Sequence, residues 1–141
     1  MTRIDFHSKV PDKLNYACRL IRKAHTANTQ LVVLTEDQAQ LTKIDALLWT
    51  FSEQDFLPHV IAGDEWAPNT PIILTTDCEQ SLPHHQALIN LSKRTPTFFA
   101  RFERMFELVA NDAEDLIAGR ERYKYYQQRG YPLTHHVADS P

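Results

Sequence analysis

The run Leu31-Val32-Val33-Leu34, followed at once by Thr35-Glu36-Asp37-Gln38, carries the strongest local signal in the chain. Four apolar residues, two of them β-branched, form the kind of strand that is covered on both faces, as in a parallel sheet. Thr35 and Gln38 then read as a T-x-x-Q capping box, in which the hydroxyl takes a helical N–H and the amide reaches back to the cap. The helix so started buries Leu41, Ile44, Leu47 and Leu48. A strand leading straight into a capped helix is the repeating half of a βαβ architecture.

Toward the N-terminus, Arg3 to Phe6 alternates like a first strand. Pro11 then opens a segment with Leu14, Cys18, Ile21 and His25 at helical spacing, widened by Tyr16, Leu20 and Ala24. In the other direction, Phe56 to Ile61 reads as a third strand, which Pro58 confines to an edge or a bend because proline donates nothing to a ladder. Gly63 to Pro71 is a loop. Residues 71–74 and 87–91 are further strands, with a polar connection from Asp77 to His85 between them. Phe98, Phe102, Met105, Phe106 and Val109 recur at i, i+4, i+7, i+8 and i+11, which predicts a core helix. A last helix runs from about Ala113 to about Gln128 and stops near Gly130 and Pro132. Together these elements predict one three-layer α/β domain over residues 1–131, with a mostly parallel sheet of about five strands and a frayed tail at 132–141.

Several functions are excluded or disfavoured by composition. The chain has 141 residues, 43% hydrophobic and 23% charged, which suits one domain. Its three glycines, Gly63, Gly119 and Gly130, are too scattered to write a phosphate-cradling loop. A formal charge of −3 gives no overall attraction to a nucleic-acid backbone, so any such role is local or indirect. Cys18 and Cys78 form no C-x-x-C pair and read as buried thiols. No apolar run reaches the ~20 residues of a membrane span, and the start lacks a signal peptide, so the expected location is the cytoplasm. His84-His85 and His135-His136 are adjacent pairs whose side chains diverge, which argues for surface histidines over a metal site. Asp77 follows a strand, as functional acids do in α/β enzymes, yet it reads more simply as a turn carboxylate. No catalytic residue, cofactor or metal ligand is assigned.

Two constellations mix residue types that a fold alone does not require. On the last helix, Arg120, Tyr123, Lys124 and Gln127 share a face at i, i+3, i+4 and i+7, so two cations flank a phenol ring. Such a face suits an acidic peptide with an aromatic or terminal carboxylate, because arginine forks onto the carboxylate while the ring packs apolar atoms. The bland alternative is a solvated helix face. The second constellation is Trp49 with Phe51, followed by Phe56-Leu57-Pro58-His59, which reads either as core or as an exposed patch of interface anchors.

At these constellations the chain resembles the chi subunits of bacterial DNA polymerase III. The motifs are Lys43 to Trp49 (KIDALLW), Asp55 to His59 (DFLPH) and Arg120 to Tyr126 (RERYKYY), in the family's order, and the resemblance runs from the first strand to Gly130. It implies a small Rossmann-like protein without catalytic activity of its own, which pairs with the psi subunit of the clamp loader. It also implies binding of the acidic, phenylalanine-ended C-terminal tail of single-stranded DNA-binding protein, with DNA contacted only indirectly. Trp49 and Phe56 would form the psi surface. Arg120 would hold the tail's carboxylate, Tyr123 would wall the pocket for its phenylalanine and Lys124 would attract its acidic residues. A repair helicase is a further candidate partner at Trp49. Leu116 departs from the family by standing where a cation is expected, and His7 by replacing an aromatic. An exposed ion pair contributes roughly 0.2–1 kcal/mol whereas an anchoring Arg or Trp commonly contributes more than about 2, so Arg120 and Trp49 should dominate their surfaces. The rival readings are a small α/β nucleotide-binding protein or enzyme, and direct DNA binding through Arg120, Arg122 and Lys124.

Overall fold

In a computed structural model of the chain, which describes residues 2–50, 57–76 and 82–138, seven strands form one sheet in which every neighbouring pair is parallel. The strands are β1 (Arg3–Val10), β2 (Leu31–Leu34), β3 (His59–Ile61), β4 (Ile72–Thr75), β5 (Ala87–Asn90), β6 (Arg104–Ala110) and β7 (Leu133–Val137). Across the sheet they run β3, β4, β2, β5, β6, β1, β7. The helices are α1 (Lys13–Thr26), α2 (Gln38–Thr50) and α3 (Ala113–Gln128). The α/β class is as the sequence implies, with seven strands in place of about five. β2 is buried throughout between β4 and β5. The short β3, with Pro58 just ahead of it, is an edge.

Side-chain alternation along the strands builds two cores. Ala17, Cys18 and Ile21 of α1 and Leu41, Ile44 and Leu48 of α2 pack with Leu31, Val33, Leu74 and Ile89 on one face. Tyr126 of α3, with Phe99 and Phe102, packs on Ile4, Phe6, Val32, Leu88 and Val109 on the other. Leu47, expected among the buried residues of α2, is exposed on its flank.

Three other sequence expectations are corrected. The stripe from Phe98 to Val109 is no helix: Phe99–Arg101 forms one 3-10 turn, and Arg104–Ala110 is β6, paired with β5 and β1. A strand covered on both faces and a buried helix both give dense apolar runs, and here the run is seven residues long, a strand's length. The cap of α2 is Asp37, whose Oδ1 accepts from the N–H of Gln40 at 2.9 Å, and Gln40 in turn accepts from the N–H of Glu36 at 2.7 Å. Thr35 instead donates its hydroxyl to the carbonyl of Thr75 at 3.2 Å, tying β2 to β4. Residues 133–137, expected to fray, form β7 along the outer edge of β1.

Candidate functional site

α3 starts at Asp112, whose carboxylate accepts from the N–H of Asp115, and Glu114 and Asp115 place negative charge in its first turn. It ends before Gly130, whose φ of +79° suits glycine. Gly119 lets the helix sit directly on β6, since a Cβ there would lie 2.8 and 3.0 Å from the methyls of Val109. Every third or fourth residue then faces inward, namely Asp115, Gly119, Arg122 and Tyr126. The opposite face carries Arg120 and Lys124, both exposed, with the half-buried Tyr123 between them. Tyr123 is fixed by an edge-on contact with Phe6, ring centres 5.1 Å apart. Ile117, 58% exposed, extends this face by an apolar turn, while Leu116 is half-buried against the core.

The inward residues form a polar network that sequence reading missed. Glu107, from the middle of β6, is fully buried. Its carboxylate accepts from Arg122 Nε at 3.0 Å, Asn90 Nδ2 at 2.9 Å and the Tyr126 hydroxyl at 2.6 Å. Burial raises the pKa of Glu107 despite the Arg122 charge and these donors. Burial and the adjoining Glu107 also push the Tyr126 phenol up. Arg122 donates as well to the carbonyl of Lys93 at 3.0 Å, so the turn after β5 is fastened to α3. At 2% exposure Arg122 cannot join Arg120 and Lys124 on the outer face, which removes one member of the postulated DNA-binding triad. The signal for this network was a lone glutamate inside an apolar strand run, with Arg122 and Tyr126 four residues apart.

Trp49, near the end of α2, is 54% exposed, its ring 4.3 Å from that of His59. His59 is buried, its Nδ1 at 2.7 Å from the carbonyl of Leu57 and its Nε2 at 2.9 Å from Asp45 Oδ1. Both partners are acceptors, and together they lock the ring beneath Trp49. Phe56, like Phe51, lies outside the described residues. Leu57 is core. Exposed Ile61 adds apolar surface on β3, and the 62% exposed Trp66 adds more in the loop that follows.

Ligands of open α/β sheets settle at the carboxyl ends of strands where successive connections diverge to opposite faces, here between β2 and β5. A hollow of about 400 Å³ lies at that end, lined by Lys13, Glu36, Asp37, Lys93, Asp112 and Asp115 among others. Its polar groups already serve the fold. Glu36 Oε2 accepts from the N–H of Lys93 at 2.7 Å, Lys93 Nζ donates to Glu114 at 2.9 Å, and Lys13 pairs with buried Asp115 at 2.9 Å. The helix N-termini where a phosphate would bind are occupied by Asp12, Asp37 and Asp112. A nucleotide would meet carboxylates where it needs N–H groups.

The other candidates resolve similarly. Among the described residues, no group of three or more His, Cys, Asp or Glu is arranged to hold a metal ion. His84 is not the surface histidine expected: it is buried and bonded to the carbonyl of Thr70 at 2.6 Å. His85, His135 and His136 are exposed. Cys18 is buried, and burial raises its thiol to about 11, far from the reactive thiolate range. Asp77 and Cys78 lie outside the described residues. No described helix is long and apolar enough to cross a membrane.

A seven-stranded parallel sheet whose crevice is lined by carboxylates engaged with the fold, with Trp49 exposed on a helix of one outer layer and Arg120 on a helix of the other, defines an open, Rossmann-like protein of the α/β class. A family model described as DNA polymerase III chi subunit, HolC, matches residues 1–134, and the chain belongs to that family. It is 35% identical over 140 residues to the DNA polymerase III subunit chi of Pseudomonas aeruginosa, covering 96% of both chains. It is similar as well to the proteins of that name from Haemophilus influenzae, at 29% identity over 84% of this chain and 82% of the relative, and from Escherichia coli, at 24% over 83% and 80%. The name denotes an accessory subunit of the polymerase, not its catalytic one.

Proposed function

We propose that this protein is a bridge within the replication machinery. It binds the psi subunit of the clamp loader through the surface around Trp49 and Phe56, and the acidic tail of single-stranded DNA-binding protein through Arg120, Tyr123 and Lys124. The observation that carries this reading is the position of the two exposed sets: Trp49 rises from α2 on one face of the sheet and Arg120 from α3 on the other. Neither partner need exclude the other, and two linked weak contacts gain effective concentration, so a modest tail affinity suffices to retain the polymerase on coated single strands in the cytoplasm. A repair helicase would compete with psi for Trp49.

Within the tail site, Arg120 forks onto the terminal carboxylate and Tyr123, already steadied by Phe6, receives the phenylalanine ring beside the apolar Ile117. Lys124 supplies steering; the half-buried Leu116 supplies none, which reduces the salt-dependent part of the attraction. Calorimetry with a synthetic acidic peptide ending in phenylalanine tests the reading. The wild type should bind, and Arg120→Ala should weaken binding by at least about 2 kcal/mol. Equal binding by both proteins would sink the assignment.

A further inference from the structure

The sheet is unevenly covered. α1 packs over β2 and β6, while β7 is exposed along residues 134–137. By register, the α1-side face of β6, β1 and β7 displays Arg104 and Phe106, then Arg3, Asp5 and His7, then Thr134 and His136. A covered parallel sheet would be apolar there. With Leu20, Lys23 and Ala24 of α1, much of this face lines a trough of about 540 Å³.

Two kinds of group meet in it. Arg3 on the sheet and Lys23 in the last turn of α1 form no ion pair among the described residues. Flat surfaces line the same trough. The Arg104 guanidinium sits 4.6 Å over the ring of Phe106, held by two contacts to Asp5 Oδ2 at 2.7 Å. His7 and His136 stack with centres 4.9 Å apart and planes 26° from parallel. Burial, and after it the neighbouring His136, lower His7 to about 4, so near neutral pH it is an uncharged ring. Glu103 is the one carboxylate in the lining, for Asp5 is buried beneath and engaged by Arg104.

We propose that this trough binds single-stranded DNA, with a base stacked on the exposed His136 ring, which His7 backs, and the flanking phosphates held by Arg3 and Lys23. Planar groups between unpaired cations are the chemistry of single-strand sites, since every base has a face to stack and every linkage a charge to neutralise. The volume suits a nucleotide-sized occupant. The chain's overall charge of −3 demands that any nucleic-acid contact be local, and the trough is such a locality. An acidic peptide would satisfy the two cations but leave the flat floor without purpose. The site lies on the opposite face of the sheet from Arg120, so the two can be tested apart.

The test is fluorescence anisotropy of a labelled oligothymidylate titrated with the full chain. Wild type should bind in about 20 mM salt and weaken roughly 25-fold on a tenfold rise in salt, as two phosphate contacts require. The double variant Arg3→Glu, Lys23→Glu should lose at least about tenfold, and His136→Ala about fivefold or more from lost stacking. Arg120→Ala should bind like wild type, and circular dichroism should show all variants folded. The proposal is overturned by absence of binding at low salt, by loss in Arg120→Ala with retention in the double variant, or by an equal affinity for duplex. It is also overturned if the double variant loses an acidic phenylalanine-ended peptide while wild type ignores the oligonucleotide, which would make the trough a peptide site.

Discussion

Glu107 and Arg122 face each other in a buried layer, but only one of them can escape its charge. A buried carboxylate without its partner can take up a proton, all the more readily as burial has already raised its pKa, whereas guanidinium stays charged. Removing the acid should therefore cost more than removing the base. Glu107→Gln is expected to destabilise by about 3 kcal/mol or more in urea denaturation at pH 7, and Arg122→Met by distinctly less. His7 gives a second test at this scale. Its pKa in the folded protein, about 4, lies below the 6.5 of an unfolded histidine, so between those values the unfolded chain binds the extra proton. Stability from the neutral ring is complete above pH 6.5 and is lost as pH falls toward 4. After allowance for partial exposure this is about 2 kcal/mol. In His7→Gln the fall between pH 7 and pH 4, measured by denaturant midpoints, should shrink by that amount.

Among the elements, α3 was the most legible, and its end was read correctly because Gly130 and Pro132 are local signals that no tertiary contact overrides; the Asp112 cap at its start came only from the structure. β6 was misread for the opposite reason: whether its apolar residues belong to a strand or a helix depends on what lies on either side, and β1 comes from the far end of the chain. β7 was invisible because the polar face of Thr134 and His136 has no pattern of burial to betray it. The cap of α2 slipped by two residues because Thr35 was claimed by β4. How closely α3 sits on β6 can be tested through Gly119. In a free helix alanine is favoured over glycine by about 1 kcal/mol. Here its Cβ meets the stiff Val109 at 2.8 Å, so Gly119→Ala should destabilise by about 1 kcal/mol net, and adding Val109→Ala should recover part of the loss in thermal melts. Loss of the cap in Asp112→Ala should cost about 1 kcal/mol and lower the melting temperature without altering the fold.

For the molecule as a whole, the arrangement of surfaces decides how partners combine. With Trp49 and Arg120 on opposite faces, binding of psi and of the tail should be additive. A pull-down with both partners should yield the ternary complex, with tail affinity in the presence of psi within about twofold of that in its absence. Arg120→Ala should spare psi binding, and Trp49→Ala should spare the tail and remain folded by circular dichroism. Residue types at helical spacing made the α3 face legible in the sequence, because exposure there follows from period alone. The Trp49 surface was ambiguous in sequence, since an aromatic at a helix end serves core and interface equally; its 54% exposure sets it outside the core. The trough on the far side of the sheet could not be read at all, for it is assembled from three strands and a helix distant in the chain.

The Glu107 to Arg122 bond has a last consequence. A helix resting on oily side chains alone can roll about its axis, but one keyed to its sheet by the bonds of Arg122 and Tyr126 to Glu107 cannot. Arg122 inward and Arg120 outward are two settings of the same key. Inserting one residue between Gly119 and Arg120 would turn both by about 100°, burying neither charge correctly and offering neither to a partner. Length is thus constrained at this point of α3 more tightly than composition, and variants that survive there should be substitutions, never insertions or deletions.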